Sequence, residues 1–153
     1  MIVPLDEAKN IRAQNSGVQI VLAVGVFDII HRGHIDYLKW AKSNGDILVV
    51  GVPDDNNVNQ HKGDGRPINT QEDRLYLLDS LKPVDYCISI DTYYGAVDKL
   101  ASLLLPDIIA LYNDWSPKDM EKLRQAHTKA NILVDKQHKV NSTTAIIERV
   151  RNR

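Results

Sequence analysis

Short, nearly unbroken apolar runs alternate along the chain with stretches whose apolar residues recur every three or four positions. Residues 20–24, 47–52, 87–90, 108–111 and 132–134 are rich in Val and Ile and read as buried strands. Between them, helical spacing runs over 33–43 (Ile35, Leu38, Ala41), 70–81 (Leu75, Leu78, Leu81), 95–104, 117–128 and 142–151 (Ile146, Ile147, Val150). Thr70 and Ser116 stand at N-cap positions, and Pro117 takes the first helical position after Ser116. Strands that are apolar throughout need cover on both faces, which is the property of a parallel sheet. Right-handed crossovers through the helices then predict one doubly wound α/β domain with a five-stranded parallel sheet and ligands outside the C-terminal strand ends. The polar stretch 53–69 is long for a connection in such a fold, and long loops commonly carry function. Residues 1–17 read as an N-terminal helical extension to a domain spanning 18–153. Its apolar stripe, Leu5, Ala8 and Ile11, either covers the sheet or joins an oligomer interface.

Composition narrows the class. Of 153 residues, 43% are apolar and 25% charged, the balance of an ordinary globular protein. Nineteen Lys and Arg against twenty Asp and Glu leave a net charge of -1. That excludes the one-signed surface of a dedicated nucleic-acid or membrane-surface binder, so neither partner is expected. Cys87 is the only cysteine, which excludes an internal disulfide and a multi-cysteine metal site; between Tyr86 and Ile88 it reads as a small buried hydrophobe. No apolar run approaches the length of about 18 residues that spans a bilayer. Asp6, Glu7, Lys9 and Arg12 interrupt any signal-peptide core, and a cytoplasmic location is the expectation.

Candidate chemistry concentrates in Gly25-Val26-Phe27-Asp28-Ile29-Ile30-His31-Arg32-Gly33-His34, which follows the first of the five strands and opens the first helix. At such a junction free backbone N–H groups and the positive helix end attract phosphate. His31 and His34 can donate to phosphate oxygens and stabilise charge that grows during phosphoryl transfer, while Gly33 lets the backbone come close. A zinc site built on the two histidines is disfavoured because no third ligand stands nearby.

This segment resembles the G-T/C-F-D-x-x-H-x-G-H signature of the cytidylyltransferase-like nucleotidyltransferases. The resemblance continues through residues 18–151 in the family's order. Lys62-Gly63-Asp64-Gly65-Arg66-Pro67-Ile68, Glu72-Asp73-Arg74-Leu75 and Pro83-Val84-Asp85 are similar to the ADP-heptose synthase nucleotidyl domain. Asp114-Trp115 resembles the glycerol-3-phosphate cytidylyltransferases, and Ser142-Thr143-Thr144 resembles the motif that opens the family's last helix. The resemblance implies a Rossmann-like domain that moves AMP or CMP from ATP or CTP, with Mg²⁺, onto a small phosphate ester and releases pyrophosphate. It implies catalytic roles for His31, His34 and Lys62, and nucleotide binding by Val26, Phe27, Asp28, Gly33, Asp114, Ser142, Thr143 and Thr144. Lys62, Arg66 and Arg74 become candidates for the acceptor phosphate, Mg²⁺ is carried by the nucleotide phosphates, and a homodimer is expected.

Several roles stay open on the residues alone. Asp28 either reaches the metal or its waters, or fixes the turn by binding backbone amides. Arg74 either grips phosphate or pairs with a neighbouring acid; Ser142 doubles as a helix N-cap and Asp114 as a turn residue. The chain also departs from the family pattern. Val26 replaces Thr or Cys, Val24 and Gln19 replace Asn and Lys, Leu111-Tyr112-Asn113 replace a glycine-bearing triplet, and Val140 replaces glycine. Gln137 and His138 stand where glycerol-phosphate enzymes present arginine, with Lys136 and Lys139 as substitutes. A heptose 1-phosphate is the first acceptor to test. The alternatives are CTP with glycerol 3-phosphate, FAD synthesis from FMN, and a nucleotide-binding module without turnover.

Overall fold

The computed structural model describes residues 1–92, 95–136 and 141–153. Its sheet is wholly parallel, with six strands in the order β1-β4-β3-β2-β5-β6. These are β1 Ile2–Val3, β2 Ile20–Val24, β3 Ile47–Pro53, β4 Tyr86–Ile90, β5 Ile108–Leu111 and β6 Asn131–Val134. Around it lie α1 Ala8–Gln14, α2 Arg32–Lys42, α3 Asp55–Lys62, α4 Gln71–Asp79, α5 Ala96–Leu104, α6 Pro117–Ala126 and α7 Thr143–Arg151, with one 3-10 turn, Leu5–Glu7. β2 is central, pairing Ile20 with Ile47 on one side and Val21 with Ile108 on the other.

Side chains alternate across each strand, so every central strand feeds two cores. On one face Ile20, Leu22, Val49, Ile88 and Ile109 pack with Ala8, Ile11, Leu100, Leu104 and Leu123 from α1, α5 and α6. On the other, Val21, Ala23, Leu48, Val50, Cys87 and Ala110 pack with Tyr37, Leu38, Ala41, Leu75 and Leu78 from α2 and α4. Cys87 is fully buried, and that burial pushes its thiol up to about 12. No helix among the described residues is long and apolar enough to cross a membrane.

Two expectations need correction. The sheet has six strands instead of five, because Ile2 and Val3 pair with Cys87 and Ile88 along the edge of β4. Two residues carry no periodicity, so a pattern of apolar positions passes over them. The polar stretch 53–69 also holds a helix, α3, in which only Val58 is buried. Its start is fixed by Asp54, whose side chain accepts the N–H of Asn57, and not by an apolar stripe.

Gly51, in β3, explains how closely α5 lies on the sheet. A Cβ there would fall 2.5 Å from Ile90 Cδ1 and 2.8 Å from Leu100 Cδ2, and both neighbours are fully buried. Gly51→Ala is expected to destabilise the protein by about 1–3 kcal/mol, the scale of overpacking. Urea denaturation should show a lower midpoint at unchanged slope; a midpoint equal to wild type would mean that α5 moves away freely.

Candidate active site

A cleft of about 900 Å³ opens where β2, β3 and β5 end. Its floor is the turn between β2 and α2, and its walls are the starts of α5 and α7, one face of α6 and the loop after α3. His31 sits just before α2 in extended conformation and His34 lies in the first helical turn. Their rings stack with centroids 3.8 Å apart, and the ring of Phe27 meets His34 edge-on at 5.4 Å. The Nδ1 atoms of both histidines are buried without a hydrogen-bond partner. Unpaired polar atoms on a cleft floor are what a ligand rich in acceptors and donors would satisfy.

Burial lowers the pKa of His31. It brings His34 down to about 4, with repulsion from His31 adding to the desolvation and Asp28 opposing it. Both rings are therefore neutral at neutral pH, each with one N–H to donate.

The turn that carries them is strained. Phe27 and Ile29 have φ of 53° and 46°, a left-handed conformation that a β-branched residue such as isoleucine rarely adopts. Asp28, between them and 1% exposed, holds the turn. Its carboxylate accepts the N–H of Ile68 at 2.8 Å, the N–H of Asn69 at 3.0 Å and Nε of Arg66 at 3.2 Å. Its carbonyl accepts the hydroxyl of Thr143 at 2.5 Å, which joins the turn to the first residue of α7. Of the two roles open to Asp28, this is anchoring of the turn, with the carboxylate directed to protein donors instead of a metal. Among the described residues no group of three or more His, Cys, Asp or Glu is placed to hold a metal ion.

The other expected residues divide. Val26, Phe27, Lys62, Arg66, Asp114, Ser142, Thr143 and Thr144 all line the cleft. Ser142 is at once the N-cap of α7, accepting the N–H of Ala145 at 3.1 Å. Arg74 is a correction. It is fully buried beneath the floor and donates to the carbonyls of Val26, Pro53 and Asn69 and to the carboxylate of Asp55. Without solvent access it cannot grip a phosphate, and it braces four segments instead. Gly33 is a second correction. It lies behind the histidines, where a Cβ would meet the His31 ring at 3.0 Å and the Asn141 carbonyl at 3.5 Å. The space its missing side chain leaves is filled by protein, not by phosphate.

Four of the positions singled out above, Gln137, His138, Lys139 and Val140, lie outside the described residues; Lys136, just before them, is exposed. The sequence reading missed the far end of the cleft, formed by residues 95–98 at the start of α5 and by Asp119, Lys122, Leu123 and Ala126 on α6. Their spacing of three, one and three places them on one helix face. That periodicity was the available signal, and it reads as core packing until the cleft is seen. His127, at the end of α6, meets Asp98 at 2.6 Å.

Residues 22–149 match the profile of the family described as Cytidylyltransferase-like. Among curated proteins the chain is 44% identical over 138 residues to the bifunctional protein HldE of a Nitratiruptor species, covering 89% of this chain and 28% of that protein. It is 39% identical over 150 residues to the bifunctional protein HldE of Helicobacter pylori (strain J99), covering 98% and 31%. The chain thus spans less than a third of the length of these relatives. Among solved structures it is similar to the lipopolysaccharide core biosynthesis protein from Thermoplasma volcanium GSS1, with a TM-score of 0.69 at 36% identity, covering 80% of this chain and 99% of that one. A pantoate-beta-alanine ligase from Francisella tularensis, with a TM-score of 0.67 at 18% identity over 92% of this chain and 68% of that one, shares the fold.

The half-buried His34 makes stability depend on pH. The folded state holds His34 at about 4 against an ordinary 6.5, so below pH 6.5 the unfolded chain binds a proton that the native one refuses. This contribution is complete above about pH 6.5 and is lost as pH falls towards 4. Between those limits the wild type is expected to lose on the order of 2–3 kcal/mol more stability than His34→Asn, read from thermal unfolding in matched buffers. Parallel pH curves for the two proteins would show that His34 titrates normally.

Proposed function

The chain belongs to the cytidylyltransferase-like family, and from that premise we propose that it joins a nucleoside monophosphate to a sugar phosphate. A phosphate oxygen of the acceptor attacks the α-phosphorus of a nucleoside triphosphate, the bond from that phosphorus to the β-phosphate oxygen breaks, and pyrophosphate leaves. ATP and a heptose 1-phosphate are the favoured pair. Support comes from the ADP-heptose-synthase-like run 62–68 and from similarity to the HldE proteins and the lipopolysaccharide core biosynthesis protein. The reading includes a homodimer acting in the cytoplasm, without a nucleic-acid or membrane partner.

The observation that carries it is the stacked pair His31 and His34, with buried unpaired Nδ1 atoms, where the starts of α2 and α7 meet. As the α-phosphorus passes through five-coordination, charge grows on its non-bridging oxygens. Neutral imidazole N–H groups and two positive helix ends stabilise that charge without proton transfer. Arg66, held through Nε by Asp28, offers its terminal nitrogens to the acceptor phosphate, and Lys62 supplies a second cation. Asp114, exposed in the cleft, suits the ribose hydroxyls, while Ser142 and Thr144 at the start of α7 suit the triphosphate. The nucleotide enters as its Mg²⁺ complex, the metal offsetting charge on the departing diphosphate. A second reading, CTP with glycerol 3-phosphate, is favoured by Asp114-Trp115 at the cleft wall.

Pyrophosphate release tests both readings, with ATP or CTP against heptose 1-phosphate, other sugar 1-phosphates and glycerol 3-phosphate. ATP with heptose 1-phosphate is expected to be fastest; CTP with glycerol 3-phosphate in first place would transfer the assignment to the second reading, and release with no pair would remove both. In the active pair His34→Ala should lower kcat by roughly 10²–10³-fold, the effect of losing one transition-state donor. Lys62→Ala should raise KM for the phosphate ester more than KM for the nucleotide, and equal effects would contradict the division of the cleft.

A further inference from the structure

Two tyrosines tie α2 to β5 from opposite directions. Tyr37, buried in α2, donates its hydroxyl to the carbonyl of Ala110 in β5 at 2.9 Å. Tyr112, the first residue after β5, donates back to the carbonyl of Gly33 in the first turn of α2 at 3.1 Å. The two rings pack against each other between these bonds, centroids 4.6 Å apart. Burial raises the pKa of Tyr112, reinforced by Asp135, Asp114 and Asp36, so its hydroxyl keeps the proton it donates.

Gly33 stands between His31 and His34, and its peptide sets where both rings project. The start of α2 lacks the side-chain cap that fixes α3, α4, α6 and α7, since His31 makes no capping bond. A glycine in an uncapped first turn is conformationally loose unless something outside the helix holds it. The Tyr112 hydroxyl does so from the end of β5, two residues before Asp114. We propose that Tyr112 is a positioning residue for nucleotidyl transfer, its bond to Gly33 fixing the histidine turn relative to the wall that receives the ribose. The proposal rests on the transfer reading above. Its energetic lever is geometric, because a small displacement of a transition-state donor lowers rate without weakening ground-state binding.

Tyr112→Phe keeps the ring and removes the hydroxyl. Three quantities are read on the purified chain: thermal unfolding, steady-state kinetics for both substrates, and the imidazole ring signals of His31 and His34 by NMR without substrate. The expected result is a kcat roughly tenfold lower, both KM values within about twofold of wild type, little change in unfolding temperature, and displaced signals for His31 and His34 alone among the histidines. Unmoved imidazole signals, or a kcat within about twofold of wild type, would overturn the proposal. So would a loss that appears as a raised KM for the nucleotide, which would make Tyr112 a binding contact. If wild type turns over no pair of substrates, the transfer reading fails by itself, and the NMR signals still decide whether Tyr112 fixes the turn.

Discussion

The buried carboxylate of Asp28 receives two backbone N–H groups and a guanidinium from residues 66–69, while the carbonyl of the same residue receives the hydroxyl that opens α7. The strained turn, residues 66–69 and the start of α7 are all tied to this one residue. The constraint is needed because the turn is unfavourable in itself. Residues in sparsely populated backbone regions cost of order 1–3 kcal/mol each, and here two of them flank Asp28. Such a turn persists only where its surroundings over-determine it. Arg74 contributes from below, its guanidinium joining Val26 to the end of β3, to Asn69 and to the first residue of α3. Removal of Asp28 would release the strained turn and residues 66–69 together, so the two should lose order as a unit.

The two ends of the cleft are built from different materials. The histidine end consists of charged and hydrogen-bonding groups: His31, His34, Lys62, Arg66 and the start of α7. The far end is the opening turn of α5 and a face of α6, where Gly95, Ala96, Val97, Leu123 and Ala126 stand beside the charged Asp98, Asp119 and Lys122. The cleft mirrors the near-zero net charge of the chain, since Asp28, Asp98, Asp114 and Asp119 line it beside Lys62, Arg66 and Lys122.

That contrast accounts for what could be read in advance. The five longer strands and the helices covering them follow from period and burial, and the structure holds them within a residue or two of the apolar runs. The histidine segment was legible because strand, turn and helix start coincide with residue types that bind phosphate. Periodicity reports only burial, so it is blind to β1, whose two residues are fixed by pairing with β4, and to α3, whose start is fixed by a cap. Arg74 was ambiguous because a charged side chain on a helix gives no sign of whether it reaches solvent; only the convergence of three carbonyls and Asp55 makes its burial tolerable. The far end was invisible because neither its small apolar residues nor its scattered charges form a motif until the fold brings α5 and α6 together.

Gly51 connects the core to the shape of the cleft. The missing side chain lets Leu100 settle onto the sheet, and Leu100 belongs to the helix whose opening residues, Ala96, Val97 and Asp98, line the far end of the cleft. The breadth of that recess is therefore inherited from how deeply α5 packs on the sheet, so a substitution in the hydrophobic layer can reshape the cleft while every residue that lines it stays the same.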